Sequence, residues 1–395
     1  MTAPEELLAR HTPVLKYDSQ ESYFADSPAE WTDNPGNRLT RADGTLLATA
    51  GDGLSLAALG PTYGDGEAAA PDDVIGDPAR AYREQARALH QAPGYANHVY
   101  GHAVADGAGD EWLQYWFFYF YNDYNLVGNV LKAGLHEGDW ETVQIRLRRE
   151  VPDRAVFAQH DGAQARGWSQ VDLVPGTQRP IVYVARGSHA SYFEPGTHWT
   201  GHWFDYADGK RRSPELTLDV VAEEEAAFSW VRWPGSWGDT SKTGKNPLDS
   251  DSPHGPAQHA QWSDPLALAD TAAAQRAPTG ARPSPPPPPR VRTGWKDGRL
   301  VVRYEALAAP GAKRPTALAV TVNSPDEAAP PTTEAFPIDA KTGTVTVSAA
   351  VDPSRRYDVY VSSATAEGLA SESVRDDRPP AEPGEPVRRR SQSSG

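Results

Sequence analysis

The sequence predicts a mostly β protein: a large β-sandwich with peripheral helices, a proline-rich linker, and a small β-sandwich. Three observations carry this prediction. Residues alternate between two faces through Asp139–Leu147 and again in several short runs after residue 290, the pattern of pleated strands. Eleven of the twelve tryptophans precede residue 263, so the aromatic core belongs to the N-terminal region. Between the two regions stands Pro283-Ser284-Pro285-Pro286-Pro287-Pro288-Pro289, a run that favours polyproline II and behaves as a semi-rigid spacer.

Taken in order, Asp77-Pro78 sets an N-cap before a proline at the first helical position and predicts a helix over Ala79–Gln91. Strand-like runs follow at Leu113–Asn122, Asp139–Leu147, Ala155–Gln159 and Pro180–Ala185, each bounded by Gly, Pro, Asn or Asp. The aromatic block Tyr115–Tyr121 reads as a central strand buried on both faces, with a carbohydrate-stacking or membrane-facing surface as the alternative. A second helix is expected at Asp219–Phe228, whose acidic start suits the helix dipole. These elements make a large domain over residues 1–265, followed by an Ala/Pro-rich linker over 266–289. Short strands at Arg299–Tyr304, Ala317–Val322, Gly343–Val347 and Tyr357–Ser362 fill a small domain over 290–374. Residues 375–395 are charged and proline-rich, the composition of a disordered tail.

The formal net charge is −15 over 395 residues, which argues against a nucleic-acid partner. The basic run Arg388-Arg389-Arg390 reads as a solvated tail. There is no cysteine, so a metal would need His, Asp, Glu or backbone oxygen. The opening Met1-Thr2-Ala3-Pro4-Glu5-Glu6 has no basic and apolar signal regions, and no apolar run reaches the about 18 residues of a membrane span. The expectation is a soluble protein, cytoplasmic or exported without a recognisable signal peptide. Nothing in the chain fixes its oligomeric state.

The chemistry concentrates at Leu135-His136-Glu137-Gly138-Asp139-Trp140-Glu141. Alternation puts Asp139 and Glu141 on the same face as Val143, Ile145 and Leu147, the apolar face of the strand. Carboxylates two residues apart on a strand sit about 6.5 Å from each other, which costs about 2.5 kcal/mol of repulsion besides several kcal/mol of desolvation per ion. A divalent cation would offset both terms, with His136 as a third donor; mixed oxygen and nitrogen ligands suit Ca, Mg, Mn or a borderline transition metal. Two other readings stand beside it: a solvated strand mouth, or a carboxylate paired with an arginine such as Arg186.

His160 and His189 end strand-like runs, where a sheet delivers residues to a site. Arg186 is either an anion-binding guanidinium or the partner of a carboxylate. His198, Trp199, His202 and Trp203 cluster as a possible pocket rim, with Trp199 as a ligand-binding candidate. A serine nucleophile built from Ser188, His189 and Asp172 is disfavoured, because no G-x-S-x-G turn surrounds the serine.

The order of Trp112–Asp123, then His136–Glu141, then Ile181–Tyr192 resembles the vacuolar protein sorting-associated protein 62 family, over roughly residues 8–265. His11–Tyr17 and Asn97–Gly101 fit the same pattern. More distantly, His136-Glu137-Gly138-Asp139-Trp140-Glu141 is similar to the heptapeptide of the necrosis-inducing, ethylene-inducing toxin family. That resemblance implies a divalent cation held by His136, Asp139 and Glu141, with Asp123 in the role of the family's upstream aspartate. The motif's second histidine is replaced by Gly138. Trp295 and the stretch Tyr357–Ser373 resemble a fibronectin type III domain.

Three functions follow as expectations. The first is a cation-dependent binding protein for a glycan or lipid headgroup at a cell or membrane surface, with Arg186, His189, His160 and Trp199 around the ligand. The second is a metal-dependent hydrolase or lyase with Glu137 or His160 as base. The third is a structural or cargo protein whose metal only stabilises the fold.

Overall fold

The structure is a computed structural model that describes residues 2–79, 81–126, 131–132, 135–200, 204–211, 216–222, 224–239, 251–275, 286–308, 310–311, 313–323, 332–349, 351–366, 370–371 and 373–378. The chain divides into a large unit within the first 283 residues and a small unit formed mainly by the residues after them.

The large unit is organised by β1 (Val14–Tyr17), β2 (Asn97–Ala105), β3 (Glu111–Asn122), β4 (His136–Arg148), β5 (Val151–Gln159), β6 (Gly162–Gly167), β7 (Ile181–Val184), β8 (Ser191–Tyr192), β9 (Gly196–Trp199), β10 (Phe204–Ala207) and β11 (Leu216–Val220). A six-stranded sheet in the order β6-β5-β4-β3-β2-β11 forms its middle. All its neighbours are antiparallel except β11, which runs parallel to β2.

Both faces of this sheet are buried, as the aromatic block predicts. Tyr115, Phe117 and Tyr119 of β3 join Val143, Ile145 and Leu147 of β4 against Leu15 and Tyr17 of β1 and Val182 and Val184 of β7. The expected apolar face of Asp139–Leu147 is therefore correct. The opposite set, Trp116, Phe118, Phe120 and Trp140, packs on Trp31, Tyr82, Trp230, Trp233 and Trp237. A large aromatic side chain removed from water contributes about 4–6 kcal/mol as an upper estimate, so these rings set the strand order. The sheet is thus covered twice: by the three-stranded sheet β1-β7-β8 on one side, and on the other by tryptophan-bearing loops and a four-stranded sheet of Arg38–Thr40, Leu46–Ala50, Gly53–Leu54 and Val74–Gly76.

Several boundaries differ from the sequence expectation. The first predicted helix runs from Tyr82 to His90 rather than from Ala79, because the Asp77 carboxylate accepts from the Ala79 and Ala81 backbone and holds that stretch as a turn. Among the described residues the helix expected at Asp219–Phe228 does not form. Leu216, Leu218 and Val220 pack at period two against the first core as strand β11, and a 3₁₀ segment begins only at Ala226. The expected linker begins later than residue 266, since Leu266–Ala274 is a helix whose Leu268 and Ala269 pack on Val156, Ala158 and Ala163. Residues 276–285 of that linker lie outside the described residues.

The small unit has a three-stranded sheet of Arg290–Lys296, Arg299–Glu305 and Thr342–Thr346, and a four-stranded one of Thr332–Pro337, Ala317–Asn323, Tyr357–Ala364 and Val374–Arg378. Leu300, Val302, Leu318, Val320, Val359 and Val361 fill the space between them. The expected tail at 375–395 also begins later, because Val374–Arg378 pairs with Tyr357–Val361 as an edge strand. The rest of the tail, with Arg388–Arg390, lies outside the described residues.

Candidate functional site

The end of β4 and the turn after β7 meet over Tyr119. Gly138 has φ +59°, and a Cβ there would lie 1.9 Å from the Trp237 carbonyl oxygen, so only glycine fits. The bend turns His136 toward Asp139. Its Nδ1 donates to the Gly138 carbonyl at 2.6 Å, and its Nε2 is 3.9 Å from Asp139 Oδ1.

Asp139 Oδ2 accepts from His189 Nδ1 at 2.8 Å, and His189 Nε2 is 3.8 Å from Glu21 Oε1. The imidazole lies flat on the Tyr119 ring, with 3.8 Å between centroids and 2° between planes. His189 stands at φ +55° in the turn Arg186–Ala190, a backbone conformation uncommon for a residue with a Cβ. Glu21 is fixed in turn by the Ser22, Tyr23 and Gly187 backbone N–H groups at 2.6, 2.8 and 2.6 Å. Burial alone would lower the His189 pKa, but the two carboxylates outweigh it and raise it to about 9. Burial likewise pushes Glu21 up, and the imidazolium with the backbone donors brings it below its ordinary value.

A second group lies alongside. Asp205 of β10 accepts from Tyr192 OH at 2.6 Å, His160 Nε2 at 2.9 Å and Ser188 Oγ at 3.0 Å. Burial opposes its charge, yet His160 and these donors hold Asp205 below the usual carboxylate range. Burial also works against a charged His160, and Asp205 raises it nevertheless. Glu141 has no such support: burial first, then repulsion from Asp139 and Asp205, pushes it well above its ordinary value.

The conflict visible in the sequence, two carboxylates facing a core, is therefore answered by an imidazolium on Asp139 and by a shift of Glu141 toward its neutral form. Of the four residues expected to hold a cation, His136, Asp139 and Glu141 share this end of β4, whereas Asp123 lies with Arg83. Among the described residues no group of three or more His, Asp or Glu side chains is placed to hold a metal ion. Asp139 is engaged by His189, and Asp123 forms an ion pair with Arg83. The wider separation of Asp123 from the motif lets it reach the helix Tyr82–His90 instead.

The remaining candidates divide. His160 and His189 join the cluster. Arg186 hydrogen-bonds Gln20 and lies over the Tyr206 ring at 5.1 Å, so its nearest partners are an amide and an aromatic face. Ser188 donates to a carboxylate and has no imidazole on its hydroxyl, which leaves a serine nucleophile without a base. Glu137 is fully buried and its Oε2 accepts from the Asp239 backbone at 3.0 Å, so it is no solvent-facing base. Trp199 is half-buried against Phe204 and lines a 650 Å³ cleft with His198, Tyr192, Gln164, Arg154 and Arg166. His202 and Trp203 lie outside the described residues. Sequence reasoning missed Glu21, Asp205, Tyr119 and Tyr192. Only Asp205, a carboxylate between Phe204 and Tyr206 in an alternating run, left a signal.

The fold and site define a mostly β protein with a buried carboxylate–imidazole cluster on its central sheet. The chain belongs to the vacuolar protein sorting-associated protein 62 family, whose profile matches residues 5–207. In Saccharomyces cerevisiae it is 22% identical over 174 residues to vacuolar protein sorting-associated protein 62, a match covering 35% of this chain and 37% of the yeast protein. It is 25% identical over 176 residues to the putative vacuolar protein sorting-associated protein TDA6 of the same yeast, covering 35% and 38%. The match thus spans little more than a third of these curated relatives. A crystal structure of wild-type OgpA from Akkermansia muciniphila is similar at 12% identity and TM-score 0.18, over 48% of this chain and 62% of that one. Among the described residues no helix is long and apolar enough to cross a membrane.

Proposed function

We propose that the large unit is a binding protein for a hydroxyl-rich ligand, a glycan or lipid headgroup, received at the outer side of the cluster. One observation carries this reading. His136, Asp139 and Glu141 keep 7%, 6% and 7% exposure, whereas His189 and Asp205 behind them have 0%. Polar side chains that keep a small exposure and are fixed from behind suit hydroxyl recognition, because little ordering is left to do on binding. In this proposal His189 supplies the positive charge that the sequence reading gave to a divalent cation. The small unit, with its three- and four-stranded sheets, serves as a fibronectin-like spacer.

A glycan array and liposome flotation test it, with wild type against Asp139→Ala. Loss of glycan or headgroup binding in the variant, with an unchanged circular dichroism spectrum, supports the proposal; equal binding by both proteins refutes it. A second reading rests on Glu141, pushed upward by burial and by Asp139 beside it, an arrangement that suits general acid catalysis. Turnover of a glycoside panel that disappears in Glu141→Gln would favour that enzyme over the binder.

A further inference from the structure

We propose that the outer edge of β6 is a docking site for an extended acidic peptide, which adds to the central sheet as a further strand. The proposal is independent of the headgroup reading. β6 ends the sheet, and its Ala163 N–H points away from β5: it donates to Gln275 Oε1 at 2.8 Å. Alternation along an antiparallel edge gives the Ala165 N–H and C=O the same outward direction. Among the described residues Ala165 has no partner beyond the sheet, and it is exposed. Edge strands are ordinarily covered or blunted. Here Gln275, at the end of the helix Leu266–Ala274, satisfies one donor and leaves the next pair open.

The 650 Å³ cleft follows this edge, walled on one side by Thr197, His198 and Trp199 of β9 and on the other by Ala269 and Ala272. Charge selects the occupant. Arg154 and Arg166 line the cleft and, among the described residues, no carboxylate does, in a chain of net charge −15. Arg154 is exposed and has no ion pair among the described residues, while Arg166 lies over the Phe193 ring at 5.0 Å and pairs with the exposed Glu194 at 3.1 Å. A second copy pairing edge to edge would set these arginines against one another, so an acidic strand is the better complement. Backbone pairing would supply affinity; Arg154 and Arg166 stand on opposite faces of the sheet, so Arg154 would select acidic side chains at the alternate positions that share its face.

The test is fluorescence anisotropy on the full chain with a labelled heptapeptide of alternating glutamate and valine. Ala165→Pro removes the outward N–H and leaves the inward bonds to β5 intact. Loss of one backbone hydrogen bond at the edge should weaken binding by about tenfold. Arg154→Glu should weaken it comparably, and a peptide N-methylated at alternate amides should not bind. No binding of the glutamate–valine peptide, or equal binding of its N-methylated form, overturns the proposal. If Ala165→Pro fails to fold, Arg154→Glu and the N-methylated peptide decide it.

Discussion

Replacing His189 by glutamine removes the positive charge between Asp139 and Glu21 while keeping a planar polar group in the turn. Both carboxylates stay buried, so the loss should be that of a broken buried ion pair, about 3–5 kcal/mol. The pH dependence sizes the same interaction independently. The His189 pKa rises from 6.5 to about 9; at about 1.4 kcal/mol for each tenfold change this corresponds to about 3 kcal/mol. Because the folded value lies above the unfolded one, that stabilisation is complete below pH 6.5 and is lost as pH climbs through 9. The side chain is fully buried, so solvent screening takes little from it. Urea unfolding followed by tryptophan fluorescence reads the large unit, which holds eleven of the twelve tryptophans. Wild type should lose about 3 kcal/mol more than His189→Gln between about pH 6 and about pH 9.5. An equal slope in the two proteins across this window refutes the reasoning.

Gly138→Ala should cost about 3 kcal/mol or more, because the new Cβ would sit 1.9 Å from the Trp237 carbonyl oxygen at φ +59°; a melting temperature equal to wild type would contradict this. Asp205→Asn removes the charge that lifts His160, leaving burial to lower it. An NMR titration should find the His160 pKa above 6.5 in wild type and below it in the variant, and an unmoved value would rule out Asp205 as the cause. If His189 is the counter-charge, excess chelator should leave the melting temperature of the purified protein unchanged. A clear fall, restored by Ca, Mg or Mn, would return the cation to His136 and Asp139.

The strand His136–Arg148 was legible because a pleat has period two: the positions of Val143, Ile145 and Leu147 alone put Asp139 and Glu141 on a core face. The tryptophan distribution and the proline run likewise separated two regions before any coordinates. Other elements were not legible, for identifiable reasons. Leu216–Val220 has an acidic, helix-like neighbourhood, and only the free edge of β2 makes it a strand. Leu266–Ala274 looks like linker by composition, and the cover it gives Val156 and Ala163 makes it a helix of the large unit.

At the site the division is the same. The sequence by itself determined that two carboxylates share the buried face of one strand, and that something must neutralise them. Its spacing supplied His136, a genuine neighbour, and its family likeness supplied Asp123, whose carboxylate instead pairs with Arg83. Only the tertiary structure decided the counter-charge, because charge compensation depends on distance in space. His189 is 50 residues from Asp139 along the chain and 2.8 Å from it in the fold. Glu21 and Asp205 reach the cluster from other strand ends, and no local pattern of spacing records such an approach.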